Sequence, residues 1–232
     1  MGQGKLGTFR VALTDFDRTL TQLFDGAELQ AAFLHLRAFY ERHGVPRECL
    51  PDEGDPYSAL VEADEWMRRN FAPRRTKELN RQAARRLARR ELRAAGSARL
   101  FPGVDNSLRW LRARGLPVLV VSNNSTRAPW RTLRANSATD LVEYVFGRSH
   151  HFEMDKLKPS PTPIDTALRR VNGFANEAFL VGDSPTDMEA GRKAGVFTIG
   201  VCTGKVGEEE LLGAGADACI PCFADLPSFR FG

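Results

Sequence analysis

An α/β protein, with a parallel sheet between two helical layers and an all-helical segment inserted after its first strand, is the architecture this sequence predicts. Three observations predict it. Short apolar runs suited to buried parallel strands recur at 9–14, 117–121, 178–181 and 196–201, and from residue 104 onward helical patterns alternate with them. Residues 22–100, by contrast, carry helix and turn signals only. The single strand before that block must pair with the strands after it, because one strand cannot bury itself. The block is therefore an insertion into a Rossmann-like three-layer core, with 1–21 and 101–232 as the core and 22–100 as a helical domain.

Each element has its own signal. The run FRVALT at 9–14 is a strand whose end opens onto carboxylates. Asp25 and Glu28 form a capping-box start, and Leu29, Ala32, Phe33, Leu36, Phe39 and Tyr40 recur at helical spacing until Gly44 and Pro46 stop the helix. A turn-rich stretch at 51–56 leads to helices at 58–71 and 74–95, closed by Gly96. The alternating part predicts helices at 104–114, 130–135, 163–171 and 186–194, with a further short strand at 144–146. A short helix within 207–218 and an edge strand at 218–220 complete the chain.

Length and composition bound the class. The 232 residues suffice for one full core and a modest insertion, and 42% apolar with 27% charged residues excludes a disordered or fibrous chain. No apolar run approaches the ~20 residues that span a bilayer, and the polar start 1–10 lacks a secretory pattern, so a cytoplasmic protein without membrane contact is expected. Cys49, Cys202, Cys219 and Cys222 fit reduced thiols; Cys219 and Cys222 form one C-x-x-C with no second pair to complete a zinc site, so strand and loop thiols are expected. Nothing in the sequence bears on oligomeric state.

The net charge of +4 conceals a strong asymmetry. Between 68 and 99 stand twelve Arg or Lys against Glu78 and Glu91, a local +10 that leaves the rest of the chain at −6. Clustered arginine can grip a polyanion. The favoured reading is a solvated face of an Ala- and Arg-rich helix, with Leu79, Ala83, Leu87 and Ala94 as a narrow apolar stripe and some attraction for an anionic substrate. No aromatic interleaving or nucleic-acid signature accompanies it, which argues against nucleic acid as a partner.

Two strand ends each deliver two acids. Asp15 and Asp17 follow the first strand in TDFDRTLT, and Asp183 and Asp187 follow the strand 178–181 in VGDSPTDM. In an open parallel sheet both pairs stand at the rim where ligands bind. Four carboxylates gathered there repel one another unless a cation sits among them, and an oxygen-rich donor set that also keeps room for phosphate suits Mg²⁺. Ser122 and Asn123 after the strand 117–121, and Lys158 in KLKPSPTP, add hydroxyl, amide and ammonium donors for anionic oxygens.

The set DFDRT, VVSNN, KPSP and GDSPTD, in this order, resembles the haloacid dehalogenase superfamily over nearly the whole chain. The insertion is similar to that family's C1 cap, and KPSP together with FPGV at 101–104 resembles phosphoglycolate-phosphatase-like members. The resemblance implies that Asp15 is the nucleophile that takes the phosphoryl group and Asp17 the general acid and base. It implies that Ser122 and the Asn123 backbone bind the phosphoryl group and that Lys158 neutralises charge on nucleophile and phosphate. Asp183 would bind Mg²⁺ with Asp15 and the Asp17 carbonyl, and Asp187 would hold a metal-bound water. The implied activity is a Mg²⁺-dependent phosphatase acting on a small phosphorylated metabolite through an aspartyl-phosphate. A phosphomutase on the same fold is the alternative, and a polyanion-binding module using the basic helix is an alternative of another class. Asp17 disfavours dehalogenation, since a chloride leaving group needs no proton, and the family's phosphonatases use a cap lysine and a different first motif. Arg18 departs from the pattern, standing where capped phosphatases commonly have Gly.

Simpler readings stand beside these. Paired Asp at a strand end is often a turn or helix cap. Lys156 competes with Lys158, but only Lys158 precedes the motif's proline. His150 and His151 are expected to be a solvated loop pair, and Arg127, Trp130, Tyr57 and Trp66 packing residues near the entrance rather than members of the site.

Overall fold

The computed structural model describes residues 8–148 and 154–230. The expectations for the amino terminus before Thr8, and for His150 and His151, lie outside the described residues. Six strands form one sheet: β1 (Val11–Thr14), β2 (Val118–Ser125), β3 (Tyr144–Arg148), β4 (Ala178–Gly182), β5 (Phe197–Val201) and β6 (Ala218–Ile220). Their order is β3-β2-β1-β4-β5-β6 and every pairing is parallel. β1 is central, pairing Ala12 with Val118 on one side and Leu13 with Leu180 on the other. All four of its residues are buried, as a parallel strand covered on both faces requires.

Alternation along the strands feeds two apolar layers. Val118 and Val120 join Leu108 of α4 (Val104–Ala113) and Leu133 of α5 (Arg127–Ala135) on one face. Leu119 and Val121 turn to the other face, onto Ile164 and Leu168 of α6 (Thr162–Arg170) and Ala190 of α7 (Pro185–Ala194). A short helix, α8 (Glu208–Gly213), lies between β5 and β6.

Three helices fill the interval between β1 and β2: α1 (Gly26–Arg42), α2 (Pro56–Asn70) and α3 (Pro73–Ala94). The Asp25–Glu28 capping box starts α1, and α2 starts with Asp55 accepting from the backbone N–H groups of Tyr57 and Ser58 beside Pro56 at its first turn. Their facing sides make a separate apolar cluster around Phe33, Phe39, Tyr40, Leu60, Met67 and Leu87. A polar chain crosses that cluster: Tyr40 Oη donates to Asn80 at 3.4 Å, Asn80 donates to Asp64 at 2.6 Å, and Arg68 Nε donates to Asp64 at 2.7 Å. The chain leaves for and returns from this block side by side, since Thr21 bridges antiparallel to Leu100 and Phe101 N–H donates to Leu20 O at 2.9 Å.

Three expectations are corrected. β2 does not stop at Val121 but runs to Ser125, so Ser122 and Asn123 lie inside the strand; β3 pairs as far as Ser125↔Arg148 across a register shift, and that tertiary pairing overrides the loop-like composition of SNNS. α5 starts at Arg127, three residues early, with Pro129 in its first turn where a missing N–H is tolerated. The apolar stripe of α3 is wider than Leu79, Ala83, Leu87 and Ala94, because Ala84, Ala88 and the carboxylate of Glu91 are buried as well while Ala94 is half-buried. The cysteines are free thiols, with Cys219 in β6 and Cys222 Sγ at 3.2 Å from Asp225 at the final turn. Among the described residues no helix is long and apolar enough to cross a membrane.

Candidate active site

Backbone pairing carries the first acid to the rim. Asp15 N–H donates to Val181 O at 2.8 Å, extending the β1–β4 ladder by one residue and setting Asp15 beside the end of β4. After β4 the chain turns into α7 with Ser184 as N-cap, and Asp187 closes a capping box by accepting from Ser184 N–H at 3.2 Å and Ser184 Oγ at 2.6 Å. The helix-cap reading of Asp187 thus holds, and its other oxygen still faces the site. Gly182 permits this fit, since a Cβ there would lie 2.6 Å from Asp187 Cγ. Gly204 does the same for Asp183, whose carboxylate and carbonyl a Cβ would strike.

Lys158 joins the two acid pairs. Its Nζ lies 2.6 Å from Asp15 Oδ1, 2.5 Å from Asp187 Oδ1 and 2.8 Å from Val121 O, with only 3% of the residue exposed. Asn123 fixes that lysine from β2: its Nδ2 donates to Lys158 O at 3.1 Å and its Oδ1 accepts from Lys158 N–H at 2.9 Å. Ser122 Oγ donates to Asn124 Oδ1 at 2.8 Å at the same strand end.

Asp15, Asp183 and Asp187 each offer an oxygen, and these oxygens lie within 4.8 Å of one another. Asp17 is near but apart, its Oδ1 accepting from Leu23 N–H at 2.7 Å. Thr19 Oγ1 reaches Asp183 at 3.5 Å. Burial dominates the electrostatics. It pushes Asp15 up to about 7, against the attraction of Lys158 and with help from Asp187. Burial likewise raises Asp17 to about 6, opposed by the Leu23 N–H, and Asp183 to about 8, with Asp187 and Asp15 adding to the rise. Burial alone would lower Lys158, but the carboxylates of Asp15 and Asp187 outweigh it and hold the ammonium above its ordinary value. One ammonium thus faces more carboxylates than it can balance, and the oxygen-only donor set fits a hard divalent cation.

The cleft has a volume of about 480 Å³, and Leu29, Asp55, Tyr57, Ser58, Val61 and Glu62 of the helical block face the strand ends across it. Arg18 lines it too, at φ 60°, with its carbonyl accepting from Thr203 Oγ1. That left-handed backbone explains why glycine suits the position and what Arg18 must strain to adopt.

Sequence reasoning missed one group altogether and left another uncommitted. Glu91, fully buried in the basic helix α3, pairs with Arg148 at 2.7 Å and accepts from Ser125 N–H at 2.9 Å. Tyr57 Oη donates to Glu91 at 3.2 Å and accepts from Asn124 Nδ2, and burial with the nearby Glu91 pushes its hydroxyl well above the usual phenol range. The one signal for Glu91 was its isolation among arginines on the apolar side of α3, where a carboxylate needs a partner. Of the other uncommitted residues, Arg127 is exposed and Trp130 and Trp66 half-buried, and none lines the cleft.

The haloacid dehalogenase-like hydrolase family model matches residues 13–201. The chain belongs to this family. The matched span contains Asp15, Asp17, Ser122, Asn123, Lys158, Asp183 and Asp187, and it runs from β1 through β5. The chain is 30% identical over 129 residues to the phosphoglycolate phosphatase of Yersinia pestis, covering 56% of this chain and 54% of that protein. It spans about half the length of the curated relatives it matches. Among solved structures, CbbY from Rhodobacter sphaeroides in complex with phosphate superposes with a TM-score of 0.62 at 22% identity, over 94% of this chain and 96% of that one. A hydrolase from Pseudomonas syringae superposes with a TM-score of 0.67 at 19% identity, over 94% and 96%. The chain gathers its acids at the carboxyl ends of adjacent parallel strands.

Proposed function

We propose that this protein is a Mg²⁺-dependent phosphatase that hydrolyses a small phosphomonoester through an aspartyl-phosphate on Asp15. The observation that carries the reading is the Lys158 ammonium held 2.6 Å from Asp15 and 2.5 Å from Asp187 inside a group of acids it cannot neutralise alone. A purely structural cluster would be balanced, because an unpaired buried carboxylate costs several kcal/mol.

In the first step an Asp15 carboxylate oxygen attacks phosphorus as the ester oxygen departs, and Asp17 gives that oxygen its proton. A carboxyl held near 6 by burial is protonated in part at neutral pH, which suits a general acid. In the second step Asp17, now ionised, takes a proton from water as the water attacks phosphorus, and inorganic phosphate leaves while Asp15 is regenerated. Lys158 offsets charge on Asp15 and on the phosphoryl oxygens, and Ser122 Oγ and the Asn123 backbone N–H donate to them. Asp15, Asp183 and the Asp17 carbonyl would hold Mg²⁺ and Asp187 a water on it; the bound cation supplies the positive charge that keeps Asp15 ionised and steadies the transferring group.

Residues 22–100 act in this reading as the cap over a core of 1–21 and 101–232, and Tyr57, Ser58 and Glu62 meet the leaving group. The block contributes Asp55 and Glu62 but no Lys or Arg to the cleft, so the basic stretch 68–99 does not line the path of the substrate. Release of phosphate from p-nitrophenyl phosphate, with Mg²⁺ and with chelator, tests the activity, and a screen of phosphorylated metabolites finds the leaving group. Absence of Mg²⁺-dependent release across the screen would overturn the reading.

A further inference from the structure

A second cavity, of about 420 Å³, lies where α3 meets the start of α5, and it shares no lining residue with the cleft of Asp15. Arg85, Arg89, Arg127 and Arg148 line it together with Ser125 and Thr126, and no carboxylate does. Arg148 is balanced by Glu91 at 2.7 Å. Arg85, Arg89 and Arg127 form no salt bridge among the described residues, and Glu78, the acid that Arg85 influences, is already paired with Arg81. Two further features converge on the same spot. α5 begins here with no side-chain cap and no acid in its first turn, leaving the positive end of its dipole uncompensated. Ser125, only 5% exposed, has a hydroxyl with no hydrogen-bond partner among the described residues.

We propose that this cavity is a second anion site that takes a phosphate group, either inorganic phosphate or the phosphoryl end of a small metabolite. Guanidinium forks suit the several oxygens of a phosphate dianion better than a single carboxylate. The volume falls within the ~300–1,000 Å³ of small-molecule sites. No aromatic residue lines it, so it offers nucleobases nothing to stack on. The excess charge of the basic helix, which the catalytic cleft does not use, thereby finds a ligand.

Equilibrium dialysis with radiolabelled inorganic phosphate in the presence of Mg²⁺ tests the site without relying on turnover. The wild-type protein is expected to hold two phosphates per chain and the Arg89→Ala/Arg127→Ala variant one. Should the double variant fold poorly, Arg89→Gln and Arg127→Gln singly are each expected to weaken the second phosphate about tenfold. Displacement by methylphosphonate or a larger organic phosphonate, which no phosphatase step cleaves, separates the sources: a phosphonate that displaces better than phosphate assigns a metabolite, and the reverse assigns free phosphate. Equal phosphate counts in the wild type and the variants would overturn the proposal, whereas one phosphate in the wild type and none in the variants would count instead against the reading of the Asp15 cleft, on which the count of two rests. Loss of single-stranded RNA retention in the variants with the phosphate count unchanged would overturn it in favour of a polyanion surface.

Discussion

Two groups of buried charge lie within the same protein, and they are balanced differently. At the seam between α3 and the sheet, Glu91 meets Arg148 one to one, with Tyr57, Asn124 and the Ser125 N–H taking up the remaining polar capacity. At the strand ends, Asp15 and Asp187 share one lysine, and Asp183 stands beside them without an ion pair of its own among the described residues. The first group is complete as folded and holds the helical block to β2 and β3. The second leaves a surplus of negative charge, which the cation of the proposed mechanism would balance. Burial alone therefore does not mark a reactive site; a surplus of one sign does.

The sharpest way to break that contrast is to remove Asp15. In the reading above Asp15→Asn lowers p-nitrophenyl phosphate turnover by on the order of 10⁴-fold or more while leaving the fold intact. A small loss would place Asp15 with the merely structural acids. At the balanced seam the effect should be on stability instead: Arg148→Met leaves Glu91 buried and alone and costs about 3–5 kcal/mol in urea unfolding. The double change Glu91→Leu/Arg148→Met should recover much of that loss, because the pair's value depends on both members being present.

The pH response sharpens the comparison further. Asp15, Asp17 and Asp183 are raised from 3.8 to about 7, 6 and 8, so the fold favours their protonated forms. Their contribution to stability is complete below the unfolded value of 3.8 and is lost as pH rises through about 6 to 8. In chelator the melting temperature should reflect that loss. With Mg²⁺ at 100 times its dissociation constant, about 2.7 kcal/mol should return. The gap between the two conditions should widen from about pH 5 to pH 8, and a constant gap would contradict a metal held by these acids. Tyr57→Phe carries the smallest expected effect, about 1 kcal/mol in unfolding, because it deprives Asn124 and Glu91 of one shared hydroxyl.

Much of this was legible in the sequence for a local reason. Strand-end acids, the capping box at Asp25 and Glu28, and the alternation from residue 104 onward each depend on neighbours within a few positions. What escaped depends on distant partners. The SNNS end of β2 is strand only because β3 lies alongside it, and Glu91 is buried only because Arg148, 57 positions away, supplies its counter-charge. Asn123 was expected beside a phosphate, but the use of its side chain, clasping the backbone of Lys158 from 35 positions away, has no sequence signal at all.

The antiparallel bridge of Thr21 to Leu100 also has a mechanical meaning. The two tethers are fixed edge to edge there, and the Glu91–Arg148 ion pair at 2.7 Å ties the same block to β3, so the block is held to the core at two separate places.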